Sequence, residues 1–134
     1  HNQLVCDVTQ VSRASKLGIA QIVDARAAAR FRGDVPEPRE GLRLGHIPNS
    51  FNVPFNKLLN LDSTMKKPEA IRDIFESAGI DMSKPIITSC GSGITAAVLG
   101  LALERAGHSS WSLYDGSWAE WGMFPTLPVA IGEA

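Results

Sequence analysis

The residue best placed for chemistry is Cys90, in the run Pro85-Ile86-Ile87-Thr88-Ser89-Cys90-Gly91-Ser92-Gly93-Ile94-Thr95-Ala96. The run reads as a short buried strand of β-branched residues, a tight glycine-rich loop opening with the cysteine, and then a helix. Apolar residues continue from Ile94 to Ala106, and Gly107 is placed to end the helix. A cysteine between a strand tip and a helix N-terminus meets backbone N–H groups that no carbonyl inside the helix can satisfy. Those donors and the helix dipole favour an anion, hence the thiolate over the thiol. Gly91 and Gly93 lack a Cβ, so the loop can curl with successive N–H groups pointing inward. The chemistry implied is that of a nucleophilic sulfur.

Three other readings compete for these residues. A cysteine-dependent phosphatase loop needs an arginine six residues after the cysteine, and that position is Ala96. Gly91-Ser92-Gly93-Ile94-Thr95-Ala96 fits the dinucleotide fingerprint, with Asp115 about twenty residues on as the ribose-binding acid. Only nineteen residues follow Asp115, too few to complete a nucleotide-binding half, and the fingerprint leaves Cys90 unexplained. The third reading is a buried structural cysteine before a packed turn. The loop chemistry and the flanking elements agree on a reactive Cys90.

The elements that must position this sulfur follow from the rest of the chain. The length suits one domain with a single sheet and helices on both faces. A composition 44% hydrophobic and 20% charged is ordinary for a globular protein, and a formal charge of −1 gives no case for nucleic acid or an acidic membrane. No apolar run approaches bilayer-spanning length, and no signal-peptide pattern opens the chain. Cys6 and Cys90 make no disulfide framework; both read as free thiols in a reducing compartment. The chain opens with His1 rather than methionine, as a processed product or a piece of something longer would.

In order, Leu4-Val5-Cys6 is a short edge strand, with Cys6 as core filling. Asp7 or Thr9 caps a helix reaching Leu17, and Gly18 stops it. Ala20–Ala25 is a buried strand carrying Asp24 near its end, and the carboxylate is expected to cap a helix or pair with a nearby arginine. Between Arg26 and Arg43 lie five arginines (Arg26, Arg30, Arg32, Arg39, Arg43), interleaved with Asp34, Glu37 and Glu40 and with enough proline and glycine to make most of the segment irregular. Long irregular connections in small domains tend to be functional, and arginine holds carboxylates or sulfonates through two parallel hydrogen bonds. His46 reads as a turn residue, and Phe51–Pro54 as a short strand. Asn56 is expected to cap a short helix through Leu61. Pro68 opens a helix whose face is Ile71, Ile74, Phe75 and Ala78, ended by Gly79. The helix from Ile94 is apolar nearly all round and should be buried on more than one side. Trp111–Tyr114 is the last strand, and Ser117-Trp118-Ala119-Glu120 a capping box opening a short helix. Trp118 and Trp121 are core residues by default. Pro125 and Pro128 make the tail irregular. Strands alternating with helices call for a parallel α/β sheet covered on both faces, with Cys90, Asp24 and Asp115 at the carboxyl ends of strands, where such sheets place their sites.

The chain also resembles a known family. Asp24-Ala25-Arg26, Arg30-Phe31-Arg32-Gly33, Pro36-Glu37-Pro38-Arg39, Gly45-His46-Ile47-Pro48, Cys90 to Ala96, and Tyr114-Asp115-Gly116-Ser117-Trp118 look like the catalytic, C-terminal rhodanese domain of sulfurtransferases, in order and across nearly the whole chain. The resemblance implies a rhodanese-like three-layer α/β domain, residues 1–134, that is the catalytic half of a two-domain enzyme whose N-terminal rhodanese-like domain is missing here. The loop is most similar to that of 3-mercaptopyruvate sulfurtransferases, with Gly-Ser-Gly after the cysteine; thiosulfate-using rhodaneses carry Arg-Lys-Gly. By this resemblance Cys90 takes sulfur from 3-mercaptopyruvate as a persulfide, releasing pyruvate, and passes it to a thiol such as thioredoxin or to cyanide. Arg30 and Arg39 bind the substrate, and Gly91, Ser92, Gly93, Ile94 and Thr95 donate loop N–H groups. Ser92 matches a catalytic serine that the family places in a relay with a histidine and an aspartate of the N-terminal domain; neither His46 nor His108 matches that histidine. No cofactor, metal, nucleic acid or membrane is implied, and the expected location is intracellular, in cytoplasm or mitochondrion. A thiosulfate-specific rhodanese and a non-catalytic rhodanese-like interaction module are the alternatives; the uncharged loop argues against the first and Cys90 against the second.

Overall fold

Runs of β-branched residues bounded by turns become five short parallel strands in the computed structural model, which describes residues 5–38, 40–91, 94–108 and 110–132, and for Ile94 the backbone alone. The strands β1 (Val5–Cys6), β2 (Gln21–Asp24), β3 (Ser50–Asn52), β4 (Ile86–Ser89) and β5 (Trp111–Tyr114) join in the order β1-β5-β4-β2-β3. All four residues of β4 are buried, as befits a strand with neighbours on both edges and helices on both faces. Side-chain alternation divides the core into two layers. Ile22 and Ile87 join Val11 and Ala14 of α1 (Val8–Leu17) and Trp118 and Trp121 of α5 (Ser117–Trp121) on one face. Val23 and Ile86 join Ile71 and Phe75 of α3 (Pro68–Ser77) and Leu99 and Leu103 of α4 (Ile94–Arg105) on the other. Each fully buried valine, leucine, isoleucine or phenylalanine among them contributes about 1.5–3 kcal/mol relative to exposure.

Local signals behave largely as expected. Asp7, not Thr9, caps α1: its carboxylate accepts the Gln10 N–H at 2.9 Å while the Gln10 side chain accepts the Asp7 N–H at 2.9 Å. Gly18 closes the helix in the left-handed conformation, φ 69°. Pro68 is the first residue of α3, with Ile71 and Phe75 buried and Ile74 and Ala78 packed against the same core. The arginine-rich segment contains one short helix, α2 (Ala28–Arg32), and is otherwise irregular.

Two expectations change, and one holds. Asn56 caps nothing: Pro54, with φ −55°, leads directly into a single 3-10 turn, Phe55–Leu58, which has no side-chain cap and ends before Leu61. Helix α4 is buried on more than one side, as expected, packing on β4 and β5 and also against α3 and the 3-10 turn, while Ala97, Leu101 and Glu104 face outward, Leu101 being 61% exposed. The residues Ser117–Glu120 form no capping box. The cap position is Gly116, without a side-chain hydrogen bond, and both polar side chains are engaged elsewhere.

Among the described residues no helix is long and apolar enough to cross a membrane. The loops leaving β2, β4 and β5 all start at the carboxyl edge of the sheet, with β4 between the other two, so the segments after Asp24, Ser89 and Tyr114 converge there.

Candidate active site

Cys90 follows the last residue of β4, whose partner across the ladder is Asp24, and its side chain is fully buried. The main chain around it is gripped from α5. Helix N-termini carry N–H groups without partners inside the helix, and here two of them are used on the cysteine loop: Trp118 donates to the Cys90 carbonyl and Ala119 to the Gly91 carbonyl, each at 2.8 Å. A trans peptide points its N–H opposite to its C=O, so tying the Cys90 carbonyl to α5 turns the Gly91 N–H away from that helix. The Cys90 N–H itself donates to the Ser117 hydroxyl at 3.0 Å. That hydroxyl has one proton, given to the Tyr114 carbonyl at 2.8 Å, and it lies 3.9 Å from the Cys90 sulfur. Ser117 holds a left-handed backbone, φ 51°, and is wholly buried.

Beside the loop lies a cavity of about 290 Å³, lined by Arg30, Glu37, Pro38, Leu42, Gly91, Thr95 and Ala119. Gly91 lets the wall come close: a Cβ there would sit 2.6 Å from Arg30 Nη2 and push the end of that side chain aside. Arg30 is held by Glu37, through Nη2 to Oε1 at 2.7 Å and Nε to Oε2 at 3.3 Å. The Glu37 hydrogen bond raises the Arg30 pKa above its ordinary value, with burial opposing. Glu37 also receives Arg26 Nη1 at 3.1 Å. Arg26 is fully enclosed. It donates to Asp24 through Nε and Nη2, to the Gly45 carbonyl at 2.7 Å, and lies 4.7 Å over the Trp118 ring centroid. Asp24, Arg26, Glu37 and Arg30 therefore form a chain of alternating charge running from the core to the cavity. Such a chain is tolerable only because each buried charge has a partner. A hollow of about 310 Å³ against β3 and α3, lined by Asn52, Val53, Lys57, Asp73, Ile74, Ser77 and Ala78, carries no such nucleophile.

The structure thus brings together Cys90, Gly91, Thr95 and Arg30. Ser92, Gly93 and Arg39 lie outside the described residues, and Ile94 contributes only its place at the start of α4. Asp24 is the partner of an arginine, as expected. Asp115, at the end of β5, is exposed and apart from the cavity lining. His46 is a buried turn residue, its ring stacked on Phe31 at 3.8 Å and its Nδ1 2.7 Å from the Phe31 carbonyl oxygen. Burial lowers its pKa. Cys6 is core, and burial raises its thiol pKa. Arg32 pairs with the exposed Asp34, and Arg43 is directed away from the cavity to carbonyls of the C-terminal segment.

Three contributors, Glu37, Ser117 and Glu120, were given no role at the site by the sequence. Glu37 was visible as one acid in an arginine-rich run and as part of the Pro36-Glu37-Pro38-Arg39 motif, with no role of its own. Ser117 and Glu120 matched a capping pattern, but the hydroxyl takes the Cys90 N–H, and the Glu120 carboxylate takes the buried Tyr114 hydroxyl at 2.6 Å. Burial and that acceptor raise the Tyr114 pKa. Among the described residues no group of three or more metal-ligating side chains occurs.

With this geometry established, three comparisons place the chain among known proteins. Residues 7–123 match the Rhodanese-like domain family. The 3-mercaptopyruvate sulfurtransferase of Escherichia coli K12 is 49% identical over 127 residues, spanning 95% of this chain and 45% of the relative. The Homo sapiens 3-mercaptopyruvate sulfurtransferase is 47% identical over 113 residues, spanning 84% and 38%. The crystal structure of the Tum1 protein from Saccharomyces cerevisiae superposes with a TM-score of 0.87 at 34% identity, covering 98% of this chain and 47% of that one. The chain thus spans less than half the length of these relatives.

Proposed function

Because the chain belongs to the rhodanese-like domain family, we propose that it is the catalytic half of a 3-mercaptopyruvate sulfurtransferase, with Cys90 as the sulfur carrier. One observation carries the reading. A cysteine sits between β4 and the N-terminus of α4, with its carbonyl tied back to α5, beside a cavity walled by an arginine. The geometry suits a sulfur that must be negatively charged both as thiolate and as persulfide.

In the proposed cycle the Cys90 thiolate attacks the sulfur of 3-mercaptopyruvate. An S–S bond forms and the C–S bond breaks, its electron pair leaving on carbon as the enolate of pyruvate, which then takes a proton. Arg30, at the cavity wall, faces the carboxylate and the developing enolate oxygen, with Arg39 as its expected partner. Backbone N–H groups of 91–95 hold the sulfur charge as an oxyanion hole does. A thiolate acceptor, such as thioredoxin or a small thiol, attacks the outer sulfur and restores the Cys90 thiolate. The Ser92 relay of the family draws on an N-terminal rhodanese-like domain, and the length of the relatives supports a second domain of that kind in the native protein. We place the protein in a reducing compartment, cytoplasm or mitochondrion, where Cys90 stays available.

Intact-mass measurement tests the reading. Incubation with 3-mercaptopyruvate should add one sulfur, about 32 Da, to Cys90 and release pyruvate, and a thiol should remove the added mass. Cys90→Ser should lose both. Pyruvate release by Cys90→Ser, or addition at Cys6 instead, would remove the basis of the mechanism.

A further inference from the structure

Among the described residues, the charge of Arg30 at the cavity beside Cys90 is balanced by a carboxylate directly behind it. Glu37 is part of the cavity wall although its side chain is only 1% exposed. Both of its oxygens are engaged, Oε1 by Arg30 and Oε2 by Arg30 and Arg26. One layer further in, Asp24 and Arg26 balance each other. Among the described residues lining the cavity, Arg30 and Glu37 are the charged ones. The Nε–Nη2 edge of Arg30, the edge that matches a carboxylate with two parallel bonds, is directed at Glu37. An anion entering the cavity therefore meets Arg30 with a fixed carboxylate immediately behind it.

We infer that Glu37 is a specificity-determining residue, a charge filter that lets the Cys90 cavity accept singly charged donors and disfavours dianions such as thiosulfate. The inference deepens the sulfurtransferase reading, on which it rests for the reaction but not for anion binding. Repulsion from a fixed carboxylate scales with the charge of the ligand. At about 6 Å and an effective dielectric of roughly 40, each unit of ligand charge is worth about tenfold in affinity. Glu37 offsets the attraction of Arg30, and the cost to a dianion exceeds that to a monoanion by the same factor of about ten. Gly91, next to the nucleophile, supplies no side chain to compensate. Glutamine at position 37 removes the charge and turns an amide N–H toward a guanidinium already full of donors, so Arg30 is released toward the cavity. Arg26 keeps Asp24, the Gly45 carbonyl and Trp118.

The test compares wild type, Glu37→Gln, Glu37→Asp and Arg30→Gln by two readouts. One is the ratio of kcat/KM for thiosulfate to that for 3-mercaptopyruvate. The other needs no turnover: protection of Cys90 from the neutral alkylator iodoacetamide by sulfate, a dianion, relative to pyruvate, a monoanion. Glu37→Gln should raise both ratios about tenfold, with a steeper salt dependence for the dianion. Glu37→Asp keeps the charge and should keep both ratios near wild type even where its overall rate falls. Arg30→Gln should lower the protection ratio. Unmoved ratios in Glu37→Gln, or an equal shift in Glu37→Asp, overturn the filter. A protection ratio that moves as stated in a protein forming no persulfide would uphold the filter and remove the sulfurtransferase reading.

Discussion

Ser117→Ala should destabilise this protein out of proportion to the one oxygen atom it removes. The hydroxyl is fully buried and serves two backbone groups, accepting from the Cys90 N–H at 3.0 Å and donating to the Tyr114 carbonyl at 2.8 Å. Alanine removes the acceptor of the buried Cys90 N–H, at a cost of about 1–3 kcal/mol, and also forfeits the bond to the Tyr114 carbonyl. The backbone strain at φ 51° is kept, since alanine tolerates that region no better than serine. A total of about 2–3 kcal/mol is expected, read as a lower denaturant midpoint at unchanged m-value. Ser117→Gly separates the two contributions. It loses the same hydrogen bonds but relieves left-handed strain of roughly 1 kcal/mol, and should fall between Ser117→Ala and wild type. Because the hydroxyl anchors the first N–H of the cysteine loop, the alanine variant should also exchange its Cys90 amide hydrogen faster. A Ser117→Ala protein within about 0.5 kcal/mol of wild type would refute the claim that this hydroxyl holds the loop.

Two further predictions concern residues outside the cavity. Arg43 donates to the carbonyls of Trp121, Gly122, Phe124 and Leu127; Arg43→Ala should cost about 2–3 kcal/mol and raise hydrogen exchange across 122–130, whereas Arg32→Ala should do neither. His46 titrates below its ordinary pKa because it is buried, so the unfolded chain binds more protons than the folded one. Its share of stability is then complete above about pH 6.5 and lost as pH falls through the lower folded value. Unfolding measured at about pH 7.5 and pH 5.5 should show this loss in wild type and less of it in His46→Phe.

What could be seen in the sequence divides by how far apart the interacting groups lie along the chain. The Asp7–Gln10 capping box and the Asp24–Arg26 pair join residues three and two apart, and the sequence narrowed each to two local readings, of which the structure takes one. The placing of Cys90 between strand β4 and helix α4 was legible for a related reason. Strand, glycines and helix are consecutive, so the unpaired N–H groups of α4 must face whatever precedes them. The partner of the Cys90 N–H is Ser117, 27 residues on, and the partners of Arg43 lie 78 to 84 residues away. Those contacts depend on the order β1-β5-β4-β2-β3, which no local periodicity encodes. The capping pattern at Ser117–Glu120 failed for the same cause. A serine and a glutamate three apart satisfy a helix end only when nothing buried competes for them. Here the Tyr114 hydroxyl and the Cys90 N–H have no water to turn to, and an unmet buried group costs more than a frayed cap at the surface. Tertiary demand therefore drew both side chains away from the helix terminus. In doing so it freed the first N–H groups of α5 to take the carbonyls of Cys90 and Gly91, which is how a misread helix cap came to hold the nucleophile in place.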